Sequence, residues 1–200
     1  MSKTISRITL IAAVMGLCVR AAHAHDRNDH HDSRRLYGGA WLGFGGDAEA
    51  DGDDEFAGSL DTTLGGQFGM DWVTHRFVSL GFEARIGAAK WERMKDRTKL
   101  VDLAFKPRFR FVTLGPLELY ATTPIGLTVP RPADVAEHEV DAKPLGWNFG
   151  AGAGANLFLG DSFALNAEPI WLYHHYKVDG PANDFALKQF SLMLNGVIAF

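Results

Sequence analysis

The sequence holds a single cysteine, Cys18, so at most one thiol and no internal disulfide are available. Positive charge is in deficit, with 20 Lys and Arg against 24 Asp and Glu. Beyond residue 24 no apolar run approaches the roughly 18 residues that a membrane-spanning helix needs. These absences exclude a disulfide-stapled domain, a helical membrane protein and a nucleic-acid binder, which would carry a basic footprint. What is plentiful is glycine, at 22 residues, together with 14 Phe, 5 Trp and 4 Tyr. That combination argues against both a disordered chain and a helical bundle.

Residues 1–24 read as a secretory signal. Lys3 and Arg7 charge its start, Ile8 to Val19 form the apolar run, and Ala22-His23-Ala24 is a small-x-small cleavage site. The apolar run is too short for a retained anchor helix, and Leu17 is not the small residue a lipoprotein signal places before its cysteine. Three of the 20 basic residues leave with this segment, so 17 would face 24 acids, a formal charge of −7, and no cysteine would remain. The expected organisation is a signal peptide at 1–24, a flexible His/Asp-rich segment at 25–35, and one domain at 36–200.

From residue 36 onward the dominant period is two, the signature of strands. Eight strands are expected near 36–46, 60–71, 77–90, 99–112, 117–129, 145–159, 162–176 and 185–200. Val78, Leu80, Phe82, Ala84, Ile86 and Ala88 alternate with Ser79, Gly81, Glu83, Arg85 and Gly87. The connections alternate between long polar segments (47–59, 91–98, 130–144, 177–184) and tight ones (72–76, 113–116, 160–161). A soluble up-and-down barrel has no reason to segregate loop lengths in this way. A bacterial outer-membrane barrel does, with short periplasmic turns and long extracellular loops. The strands exceed the five or six residues usual in soluble sheets and suffice for a tilted crossing of roughly 9–11. Aromatic residues gather at strand ends: Trp91, Trp147, Trp171, Tyr173 and Tyr176 toward the long loops, and Trp72, Phe77, Phe111, Phe158 and Phe163 toward the short turns. They are expected to form two interfacial girdles.

The signal peptide, the eight strands and the terminal Phe200 with apolar residues at alternate positions before it resemble the small outer-membrane proteins of the OmpA-transmembrane, OmpX and opacity-protein type. The resemblance is one of pattern over residues 36–200. It implies an all-β, eight-stranded antiparallel up-and-down transmembrane barrel, monomeric, seated among outer-membrane lipid and lipopolysaccharide. It also implies that Phe200 is read by the barrel-insertion machinery. Because no peptidoglycan-binding domain follows Phe200, cell-wall tethering is not carried over.

In that topology the inward set includes Asp61, Asp71, Glu83, Asp102, Glu118 and Glu168 with Arg85, Lys106, Arg108 and Arg110. Gln67, Tyr120, Asn148, Asn156, Asn166, Gln189 and Asn195 share that parity. Eight strands leave an interior that side chains can fill, and buried opposite charges there must pair. Trp41 falls on the same inward parity, an unexpected place for an indole in a polar lumen. Enzymatic alternatives need a nucleophile beside a base. His174-His175 and Glu168 lie on one strand, but no His-x-Ser arrangement accompanies them, so the pair reads as interfacial.

His25, His30 and His31 with neighbouring Asp residues, and the acidic loop containing Asp47, Glu49, Asp51 and Asp53, are weak candidates for divalent metal. The loop echoes the start of an EF-hand, yet its twelfth position is Gly58 where a bidentate Glu belongs. No cofactor is expected beyond loosely bound divalent cations. The expected function is non-enzymatic, in envelope integrity or surface adhesion through the extracellular loops toward a ligand the sequence does not name. The alternatives are a narrow ion or solute pore and a lipid A-modifying enzyme.

Overall fold

The computed structural model describes residues 34–50, 58–91, 97–131, 141–179 and 184–200. Every element among them is a strand: β1 (Arg34–Ala50), β2 (Gly58–His75), β3 (Val78–Trp91), β4 (Thr98–Leu114), β5 (Leu117–Thr122), β6 (Ile125–Arg131), β7 (Asp141–Phe158), β8 (Phe163–Asp179) and β9 (Asp184–Ala199). Each strand pairs antiparallel with its neighbours, and β1 pairs with β9, so the sheet closes on itself without an edge. The closing hydrogen bonds join the two ends of the sheet directly. The Arg34 amide donates to the Phe200 carbonyl and the Phe200 amide to the Arg34 carbonyl, both at 2.9 Å.

β5 and β6 together occupy one place in the ring, between β4 and β7, which gives eight positions. The expected continuous strand at 117–129 is thus broken at Thr123-Pro124. The cause is proline: Pro124 has no amide hydrogen to donate, and the stretch of β4 facing the break contains Pro107, which has none either. One weak backbone bond, Thr123 N to Pro107 O at 3.4 Å, spans the gap, and the Thr122 hydroxyl donates to the same carbonyl at 2.9 Å.

Alternation decides which side chains meet across the ring. Inward positions such as Ser79, Gly81, Glu83, Arg85 and Gly87 are buried, while Leu80, Phe82 and Ile86 on the same strand are 37–63% exposed. Large exposed apolar residues recur on every strand of the ring except the short β5, whose outward residues are half-buried. In water this surface would be an aggregation liability; in hydrocarbon it is the solvent-facing surface. Three tight connections, at 76–77, 115–116 and 159–162, lie at the end of the ring where Arg34 and Phe200 meet. Gly115 turns the second of these with φ +56, a conformation that glycine adopts without strain. The longer connections leave from the opposite end.

The strands run 14–18 residues where they are unbroken; β1, β2, β4, β7 and β8 are longer than the sequence pattern suggested, and β3 and β9 match it in length. β1 continues to Ala50, registered opposite Phe185, so Asp47 and Glu49 belong to a strand and not to a loop. At its other end β1 begins at Arg34, which moves Arg34 and Arg35 from the expected flexible segment into the barrel. The signal peptide, His25, His30, His31, Asp51 and Asp53 lie outside the described residues.

Candidate functional site

Inside the ring the strands bring together five cations (Arg35, Arg85, Lys106, Arg108, Arg110) and five carboxylates (Asp71, Glu83, Asp102, Glu118, Glu168), all at most 8% exposed. At the turn end, Arg35 grips Glu118 with two hydrogen bonds of 2.6 and 3.0 Å, and Asn156 adds a third at 2.7 Å. Arg110 approaches the same carboxylate at 3.4 Å. One layer further in, Arg108 pairs with Asp71 and stands 3.7 Å from Glu168. Its guanidinium lies between the rings of Tyr37 and Tyr120, 4.4 and 5.0 Å from their centroids. Lys106 bridges Glu83 at 2.5 Å and Glu168 at 2.7 Å, and the Tyr120 hydroxyl donates to Glu168 at 2.6 Å. Deeper still, Arg85 lies 3.5 Å from Glu83 and 3.3 Å from Asp102, and Asp102 accepts from Thr128 at 2.6 Å. A neutral chain runs beside the ionic one, from Gln67 to Asn195 at 2.7 Å and from Asn195 to Asn166 at 2.8 Å.

Among the described residues the buried charges balance, five against five, and that balance makes their burial tolerable. A buried ion without a partner costs several kcal/mol, roughly, whereas partnered ions approach balance. Each carboxylate here has a cation at hydrogen-bond or ion-pair range.

Asp61 is the exception among the expected lumen residues, because it is exposed on the outer wall. Between Leu60 and Thr63 the register of β2 on β3 slips: Leu60 faces Trp91 and Thr63 faces Ala89. Three steps on β2 against two on β3 constitute a bulge, and every parity beyond it toward the loop is inverted. Leu60 therefore turns inward in place of Asp61.

Above the ionic layers, toward the long loops, the interior becomes apolar. Leu60, Ala89, Leu100, Leu172, Tyr176, Phe185 and Leu187 form one buried cluster with Trp41 and Met193. Tyr176, expected in the loop-side girdle, instead points inward and stacks on Phe185 at 5.6 Å. Trp41 is accommodated by two features. Its Nε1 donates to Ser191 at 3.0 Å, and its ring takes the space that a side chain at Gly87 would fill, since a Cβ there would lie 2.6 Å from the indole. His174 also faces inward, 3.0 Å from Asp102, so the two adjacent histidines part company across the wall. His175 lies outside against Trp147, 5.3 Å between ring centres. Trp147, Phe149, Trp171 and Tyr173 complete that outward aromatic group.

Sequence reasoning missed Arg35 and Tyr37 and read His174, with His175, as interfacial. The parity that Trp41 shares with Arg35 and Tyr37, and Glu168 with His174, would have placed them inside. Of the metal candidates, Asp47 and Glu49 are exposed, and Glu49 is engaged by Lys188 at 2.5 Å. Among the described residues no group of three His, Asp or Glu is arranged to hold a metal ion. Asp102 stands between the His174 imidazole and the Thr128 hydroxyl, so this trio does not place a base on a nucleophile.

The fold is that of the small eight-stranded barrels of bacterial outer membranes. The outer-membrane protein OprG of Pseudomonas aeruginosa is similar over 84% of this chain and 96% of its own, with a TM-score of 0.61 and 11% identity. AlkL, solved in lipid bilayers, is similar over 85% and 90% of the two chains, with a TM-score of 0.57 and 15% identity. Neisserial surface protein A is similar over 84% and 97%, with a TM-score of 0.53 and 11% identity. No protein-family model and no curated protein matches the sequence. The likeness is one of fold, and it belongs with the lipid-facing surface described above.

Proposed function

We propose that the exported chain, its signal peptide removed, is a monomeric, non-enzymatic outer-membrane protein. Its closed barrel displays four loops at the cell surface, for adhesion or envelope integrity. The observation that carries this reading is the lumen: five buried cations and five buried carboxylates in contact across the ring, capped by an apolar layer. An ion crossing such a barrel would have to displace partners that hold each other in a water-poor interior.

The test has two arms. In planar bilayers the refolded chain should give no step conductance; regular single-channel steps would replace this reading with the narrow pore. On cells, replacing residues 51–57 and 132–140 with short Gly-Ser connections should reduce attachment or detergent resistance while leaving the barrel in the outer membrane. Unchanged phenotypes in both assays would sink the loop-display role. Lipid A altered on overexpression would revive the enzyme.

A further inference from the structure

Two features of the outer wall coincide on the same strands. At the loop end of β3 and β4, Lys90, Arg97 and Lys99 are all exposed, and none forms an ion pair with a described residue. Lys99 is registered opposite Ala88 on β3 and opposite Arg131 on β6, at the top of the lipid-facing surface. Positions 90–99 hold five cations against two acids. The neighbouring wall differs: at the loop end of β1 and β2, Asp47, Glu49 and Asp61 are exposed, and Lys188 answers Glu49. Among the described residues, the exposed loop-end cations that lack an ion-pair partner are therefore gathered on β3 and β4, whereas Lys177 and Lys188 elsewhere on the rim each have an acidic partner.

Directly below them, on β2–β4, the outer wall is indented by a groove. Phe68, Trp72, Phe82, Leu103 and Phe105 wall it, and Ala84 lies at its base. Phe82 meets Phe105 edge to face at 5.6 Å, and Trp72 meets Phe82 at 6.1 Å. Ala84 is registered with Leu103, so the groove begins four residues below Lys99 on β4. Four to six strand residues span about 13–20 Å, or about 10–15 Å of depth at a tilt of roughly 40°. Half of a hydrocarbon core of about 30 Å reaches the upper end of the groove at Leu103 and Ala84, while Phe82 and Trp72 lie deeper.

We propose that this face is a binding site for one phosphorylated glycolipid of the outer leaflet, the lipid A moiety of lipopolysaccharide. Its phosphates sit on Lys90, Arg97 and Lys99, and one acyl chain lies in the groove over Ala84. Phosphate oxygens accept charge-assisted hydrogen bonds from ammonium and guanidinium groups, and an indented wall offers an acyl chain more contact than a convex one. The proposal rests on the outer-membrane reading and adds the face and the ligand.

The experiment refolds the chain into phosphatidylcholine vesicles with no addition, with bisphosphorylated lipid A, with dephosphorylated lipid A, or with phosphatidylglycerol, and follows urea unfolding by the heat-modifiable gel band. A folded band in phosphatidylcholine alone tests the barrel, and its absence would count against the outer-membrane reading itself. Given that band, bisphosphorylated lipid A should raise the urea midpoint while the other two lipids do not. The K90Q/R97Q/K99Q chain should lose the rise, and Lys177→Gln should keep it. Ala84→Trp, which fills the groove and leaves the cations, should also reduce the rise. An equal rise in the triple variant, or from dephosphorylated lipid A, overturns the site. An equal rise from phosphatidylglycerol, or from inorganic phosphate in solution, overturns its assignment to lipid A. Should the triple variant fail to fold, the lipid series on the unaltered chain and on Ala84→Trp still decides.

Discussion

At the scale of single residues, Arg108 and Ile125 separate the two environments of the barrel. Arg108 is buried against Asp71 and Glu168 between two tyrosine rings, whereas Ile125 is 60% exposed on the lipid side, opposite Phe105. Arg108→Ala removes the only cation among the described residues in ion-pair range of Asp71 and should cost about 3–5 kcal/mol where the site stays dry. Ile125→Arg near the middle of the membrane should cost about 2–4 kcal/mol. Urea titration of chains folded into vesicles measures both; a harmless Ile125→Arg beside a stabilising Arg108→Leu would mean that the wall faces water. Gly87→Val tests the fit around Trp41: with a Cβ 2.6 Å from the indole, overpacking should cost about 1–3 kcal/mol. Restoration of stability by a second change of Trp41 to Leu would tie that loss to the one contact. The parity of Asp71, Glu83, Asp102, Glu118 and Glu168 was readable because uninterrupted alternation leaves one choice of face per residue. Asp61 was misread because a bulge inserts a residue and leaves no mark in composition.

At the scale of elements, the sequence located all eight places in the ring, since tight turns and long polar segments punctuate a strong period of two. It missed the break between β5 and β6. Pro124 was visible, but the weakness becomes decisive only because Pro107 lies in the facing stretch of β4, and facing is a property of register. It also placed Tyr176 in a girdle because aromatic type and strand-end position both pointed there; only the inward partner Phe185 reveals the other use. The seam between β1 and β9 depends on the reciprocal bonds of Arg34 and Phe200. Deleting Phe200 removes two of those bonds and the apolar terminus, so outer-membrane yield should fall and periplasmic degradation rise, as read by fractionation and blotting. Yield that stays constant across expression levels would remove the insertion-signal role from Phe200.

At the scale of the whole molecule, the three tight connections and the meeting of Arg34 with Phe200 define one face, and the long connections the other. Short epitopes inserted near Asp53, Lys95, Glu137 or Pro181 should be labelled on intact cells, while those at Gly115 or Asp161 should stay silent until the outer membrane is opened; the reverse pattern would turn the barrel over. The charge-balanced lumen bears on how such a barrel can form at all. Its partners come from remote parts of the chain: Arg35 and Glu118 are 83 residues apart, Gln67 and Asn195 128, Trp41 and Ser191 150. A hairpin or half-built sheet entering hydrocarbon by itself would carry charges whose counterparts are still elsewhere. Lipid thus penalises every open intermediate and accepts the closed one. Pairing across the lumen and passage into the bilayer become a single event, and the membrane itself acts as the proofreader of the fold.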